Sequence, residues 1–139
     1  MDTKFSVAVH ILILISESQN PMTSEQMAES VGTNASYIRK ILALLKRAEI
    51  VVGHQGVRGY TLTAAPGLLT LLRIYQAVTE EPKIHLLDVH QKPNDKCVVG
   101  RHIQPVLAEM FEDIEVAFAR TLAQKTLADC IADIRKELA

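Results

Sequence analysis

The sequence predicts a mainly α-helical fold with a small β-hairpin wing: a winged helix-turn-helix domain followed by a long C-terminal dimerisation helix. Three observations carry this expectation. Residues Thr23 to Leu62 hold two short amphipathic stretches parted by a glycine-containing turn, then a Gly-rich hairpin pattern. Cations gather on the second stretch and on the hairpin, although the whole chain has a formal net charge of -1. Further on, apolar residues recur at three- and four-residue steps from Ile103 to Leu122.

The elements follow in order. FSVAVHILILIS, from Phe5, is apolar over most of its circumference and is expected as a buried helix against which the others pack, with His10 a core histidine holding a hydrogen-bond partner. In TSEQMAESV, Thr23 and Gln26 have capping-box spacing, and Met27, Ala28 and Val31 share a face. Gly32 ends that helix and Asn34 caps the next. ASYIRKILALLKRA buries Ile38, Ile41, Leu42 and Leu45, leaving Ser36, Tyr37, Arg39, Lys40, Lys46 and Arg47 for the outer faces. EIVVG and YTLT read as strands around the basic tip HQGVRG.

A further helix carries Leu68, Leu69, Leu71, Leu72, Ile74, Tyr75 and Val78, starting near Pro66 or Thr70. From Glu80 to Lys96 the period lapses, with Pro82, Pro93 and Asn94 present; this is expected as a linker or sensor loop with a short strand at Ile84 to Val89. The long helix aligns Ile103, Val106, Leu107, Met110, Phe111, Ile114 and Phe118 in a seam that needs a covering surface, which we expect a second copy to supply. Pro105 belongs in its first turn or kinks it. Thr126 and Asp129 cap a terminal helix whose stripe is Leu127, Cys130, Ile131, Ile134 and Leu138. The expected units are therefore a DNA-binding domain over 1–79, a linker or sensor loop over 80–99, and the dimerisation and terminal helices over 100–139.

At 139 residues the chain fits one domain, or a small domain with an extension. Apolar residues at 48% suffice for a core, and aromatics at 4% with no Trp make it an aliphatic one. No apolar run reaches the ~18 residues of a membrane span. Phe5 to Ile15 is interrupted by His10, lacks a cluster of preceding cations and has no small-residue cleavage site after it, so it does not read as a signal peptide. Cys97 and Cys130 form no disulfide framework, and the expected location is cytoplasmic.

Charge distribution identifies the partner. Between Gly32 and Gln76 lie Arg39, Lys40, Lys46, Arg47, Arg58 and Arg73 against Glu49 alone, whereas acids prevail after Pro105. One cationic face on such a motif points to double-stranded DNA. Tyr37, Arg39 and Lys40 are expected in the major groove, with Ser36 available to bases or phosphate. Lys46, Arg47, Arg58 and Lys4 are expected on phosphates or in the adjacent minor groove. The function this implies is sequence-specific DNA binding, which for two copies means an inverted-repeat site. A transcription regulator, acting as a homodimeric repressor, is the expectation that the family resemblance below completes.

Other classes fare worse. There is no phosphate-cradling glycine loop, nucleophile elbow or convincing carboxylate pair, so no enzyme is expected. A winged-helix protein–protein adaptor would have no reason to concentrate cations on these elements. Two constellations point instead to a redox- or metal-responsive regulator. Cys97 precedes a helix start, near Lys96, Arg101 and His102, in conditions that favour a thiolate; free cysteines are more commonly small buried hydrophobes. His85, Asp88, His90, Cys97 and His102 are all potential zinc ligands, but their spacings match no metal signature. We expect no metal and no cofactor, with a small-molecule or redox effector left open.

The ordered run of a buried first helix, TSEQMAESVGTNASYIRKILALLKRAEIV, a Gly-rich wing ending GY, and a terminal TLADCIADI resembles the Rrf-two (BadM-type) family of bacterial transcription regulators over nearly the whole chain. The resemblance implies a homodimeric winged-helix regulator joined through the long helix and reading DNA with the recognition helix and wing. Cluster-binding members carry three closely spaced cysteines before the long helix; this chain has only Cys97 there, in PNDKCVVGRHIQ. An iron–sulfur cluster takes about four ligands, normally thiolates, so none is expected. Where the family commonly has Arg before the first wing glycine, this chain has Gln55, which leaves both Gln55 and Arg58 as candidates for the minor groove.

Overall fold

The computed structural model describes residues 2–54 and 59–139, so Gln55 and Arg58 lie outside the described residues. The order is α1 (Lys4–Glu17), α2 (Ser24–Val31), α3 (Ala35–Arg47), β1 (Val51–Gly53), β2 (Tyr60–Leu62), a 3-10 turn (Pro66–Leu68), α4 (Leu71–Thr79), α5 (Val98–Gln124) and α6 (Leu127–Glu137). The strands pair antiparallel, with Val51 opposite Leu62 and Gly53 opposite Tyr60.

Local chemistry sets both ends of α2 and the start of α3. Thr23 and Gln26 exchange both capping-box hydrogen bonds at the start of α2. Gly32 stops α2 at φ +85°, a left-handed conformation that glycine adopts without penalty. Asn34 accepts from the Tyr37 amide and starts α3. The His10 imidazole meets the Ser30 hydroxyl at 3.0 Å, which ties α1 to α2.

The core is aliphatic and centred on α1, α3 and α4. Ile11, Leu12, Ile38, Ile41, Leu45 and Ile74 are essentially sealed from solvent. Two edge-to-face contacts extend it, Phe5 to Tyr75 at 5.3 Å and Tyr75 to Phe118 at 5.6 Å, linking α1, α4 and α5. From beyond α5, Leu127 and Ile131 of α6 enter the same core. Their helix is stapled there by a Thr70–Thr126 bridge, with the Leu71 amide donating to Lys125 and the Leu127 amide to Leu69. Arg135 adds an ion pair to Glu17 at the end of α1.

Three expectations change. Ile84 to Val89 forms no strand: the Leu86 and Leu87 amides, which a sheet would have used, donate instead to the Glu115 carboxylate on α5. The long helix starts at Val98, inside the stretch expected as linker, so Pro105 is well beyond the first turn and leaves the Arg101 carbonyl without its helical partner. The apolar seam of α5 is also split between two faces. Phe118 turns to the intrachain core, Leu107 and Phe111 are half-buried, and Val106, Met110 and Ile114 stand about half exposed.

Candidate nucleic-acid interface

The outer face of α3 is the first component. Burying Ile38, Ile41, Leu42 and Leu45 leaves Ser36, Arg39, Lys40, Ala43, Lys46 and Arg47 exposed on the opposite side. Asn34 closes the helix start, so Ser36 lies in the first turn beside free amide dipoles. Tyr37 does not belong fully to this face. It is half-buried and lines a cleft with Ser6, His10 and Thr33, between α1 and the turn.

The arginines of α3 are engaged and the lysines are not. Arg39 pairs with Glu25 of α2 at 3.4 Å, and Arg47 with Glu80, just past α4, at 2.8 Å. Among the described residues Lys40 and Lys46 have no ion-pair partner. Arg73, counted in the basic run, has a separate role: its guanidinium donates to the Ala48 and Glu49 carbonyls at 3.3 Å, closing the C-terminal end of α3. Lys4 opens α1 and pairs with Asp2 at 3.7 Å.

The hairpin is seated on the body. A Cβ at Gly59 would lie 2.4 Å from Pro21, so only glycine lets β2 approach the α1–α2 loop this closely. The His54 ring meets the Thr61 hydroxyl at 2.8 Å across the strands.

The candidate sensing residues separate. Cys97 is exposed at the N-cap of α5, where the Gly100 and Val99 amides lower its thiol pKa. Cys130 lies on α6, and burial, then Asp133 and Asp129, raise its pKa. His85 pairs with Asp88 at 2.5 Å, and that hydrogen bond raises its pKa. The His102 Nδ1 is 2.8 Å from the Val98 carbonyl. Among the described residues no three His, Cys, Asp or Glu side chains converge as metal ligands.

Sequence reading missed Glu115. Its side chain is buried on the Phe111–Phe118–Leu122 face of α5, where it accepts from the Leu86 and Leu87 amides, and these hold its carboxyl pKa down. The available signal was a charged residue at helical spacing within an apolar face.

A capped helix pair, a cationic second helix and a docked hairpin define a winged helix-turn-helix DNA-binding regulator. The profile of Rrf2, described as an iron-dependent transcriptional regulator, matches residues 1–133, and the chain belongs to this family. It is 40% identical over 129 residues to the candidate HTH-type transcriptional regulator YwnA of Bacillus subtilis, covering 93% of this chain and 95% of YwnA. The crystal structure of a candidate DNA-binding protein superposes with a TM-score of 0.75 at 38% identity, over 92% of this chain and 98% of that one. CymR, the global cysteine regulator of B. subtilis, shares the fold with a TM-score of 0.71 at 19% identity, over 95% of each chain. The family is one of transcription regulators and not of enzymes.

The iron of the family description does not fit these residues. The chain has two cysteines, one at the head of α5 and one on α6, and the loop histidines are bonded elsewhere or dispersed. A cluster would need about four converging ligands.

Proposed function

We propose that this DNA-binding regulator is a cytoplasmic homodimeric repressor that reads an inverted repeat with α3 and closes its dimer along α5. The outward face of α3 carries the reading. Arg39 and Lys40 suit base edges in the major groove, and Ala43 between them and Lys46 suits a thymine methyl. Ser36, Lys46, Arg47 and Lys4 suit phosphates, and Gln55 and Arg58 are the candidates for the adjacent minor groove. The half-exposed stripe of Val106, Met110 and Ile114, with Ile103 and Leu107 at its edge, supports a two-fold partner. Occupancy of the operator would be enough to block transcription.

Selection of bound duplexes from a random pool tests this. An inverted repeat with half-sites ~34–36 Å apart is expected, and recovery of single asymmetric half-sites counts against it. Arg39→Ala should lose roughly 1–3 kcal/mol and relax base preference, whereas Lys46→Ala should weaken all sequences alike.

One observation favours a second, compatible reading in which Cys97 senses oxidants: its exposed thiol faces two helix amides. Loss of operator affinity on mild peroxide treatment, absent in Cys97→Ser, is the expected result. Equal loss in both proteins refutes it.

A further inference from the structure

Glu80 breaks two local rules at once. It follows the last turn of α4 with φ +58°, a left-handed conformation that favours glycine over any residue with a side chain. Its carboxylate also sits at the C-terminal end of a helix, where the dipole favours a cation. Non-glycine residues held in this way cluster at functional positions, where another interaction compensates. Here that interaction is visible: Glu80 Oε1 lies 2.8 Å from the Arg47 guanidinium at the end of α3. Both side chains are more than half exposed, so the pair is open to exchange with solvent and with any anion arriving at the α3 face.

We propose that Glu80 is an intramolecular phosphate surrogate, which occupies Arg47 in the free protein and must be displaced before Arg47 engages the DNA backbone. The inference rests on the reading of α3 as the DNA-contacting helix. Its effect is on discrimination. Non-specific duplex offers only backbone charge, and the Glu80 contact withholds one phosphate-binding cation from it. A matched operator supplies base contacts that compensate for releasing the pair. Lys46, one residue earlier and without an ion-pair partner among the described residues, stays available for first encounter. The placement also gives a route for regulation: Glu80 is the first residue after α4, and the segment it leads into is fastened to α5 through Lys83–Glu112 and the Glu115 hydrogen bonds.

The test measures affinity for a random-sequence duplex and for the selected operator across a salt series, using full-length protein. Glu80→Gln should tighten random-sequence binding about two- to fivefold, the range of one exposed ion pair. It should also steepen the salt slope by up to about 0.9, the value of one phosphate contact. Operator affinity should gain less, narrowing the specificity ratio. In an Arg47→Ala background the gain should vanish, and Glu81→Gln should not reproduce it. Glu80→Gly guards against misfolding, since glycine suits the backbone there; it should raise both thermal stability and random-sequence affinity. A gain that persists without Arg47, or that Glu81→Gln matches, would show a bulk-charge effect and overturn the proposal. So would a Glu80→Gly protein that is more stable with unchanged affinity. Absence of DNA binding by the unaltered protein would remove the α3 interface itself. Binding that Glu80→Gln leaves alone would remove only the surrogate.

Discussion

Helices α3 and α5 are both amphipathic, yet they use their apolar residues in opposite ways. The inner side of α3 is sealed at Ile38, Ile41, Leu42 and Leu45, each at most 1% exposed, with Leu44 half-buried beside them. The fully exposed residues of α3, Ser36, Arg39, Lys40, Ala43, Lys46 and Arg47, are charged or small, a surface suited to a polyanion. The longer α5 buries only Glu115 and Leu122 and leaves Met110 56% and Ile114 51% exposed. Among the described residues, the one buried charged side chain, Glu115, sits on the α-helix with the fewest buried apolar ones. Helix α3 is completed by its own chain, whereas α5 keeps an apolar stripe half exposed, the stripe on which the proposed dimer rests.

The largest expected effect follows from that contrast. Ile114→Asp would place an unpaired carboxylate in the proposed dimer contact, at a cost of about 3–5 kcal/mol in association. The protomer should keep its helicity, since Ile114 is half exposed within one chain, while the dimer and operator binding are lost together. Sedimentation and circular dichroism report both, and a dimeric Ile114→Asp protein would erase the distinction between the two helices.

Ile41→Ala makes the complementary change. It opens a cavity under α3 and should cost about 2–5 kcal/mol of folding stability in denaturant titration. Ile114→Ala should change protomer stability by less than about 0.5 kcal/mol. Similar losses at both positions would mean that α5 is as fully packed as α3.

A smaller effect is expected at Glu115. Its folded pKa is depressed, so its contribution to stability is present above the unfolded carboxylate pKa and is lost as pH falls through the folded value. Thermal unfolding should therefore show an acid loss that Glu115→Ala diminishes, with a lower melting temperature near neutral pH. Hydrogen exchange at the Leu86 and Leu87 amides should quicken in the variant; unchanged exchange would show that the carboxylate does not hold the segment.

The smallest effect is chemical. With the Cys97 pKa lowered by helix amides and that of Cys130 raised by burial, a disulfide reagent near neutral pH should label Cys97 first. Equal rates would contradict this ordering.

The helix-turn-helix was legible because its signals are local. Thr23, Gln26, Gly32 and Asn34 specify caps from within a few residues, and the 3.6-residue period assigns the outer face of α3 without reference to the rest of the chain. Tertiary context decided the remainder. Pro105 points to a first turn or a kink, although α5 already runs from Val98. The role of Glu115 was hidden because its partners, Leu86 and Leu87, lie in another segment. The acids opposing Arg39 and Arg47 are likewise remote in sequence, so no pattern along α3 reveals that its arginines are occupied. A single apolar stripe also does not report which residues face the same chain, as Phe118 does, and which face outward.

The Thr70–Thr126 staple has a consequence for synthesis on the ribosome. Leu127 and Ile131 help to close the core on which α1 and α4 rest, yet they emerge only after the whole of α5. A nascent chain can form α2 and α3 from local signals, but the body that holds them is unfinished until α6 docks. A stalled or truncated product would thus lack the packing from α6 that completes the core beneath α1 and α4.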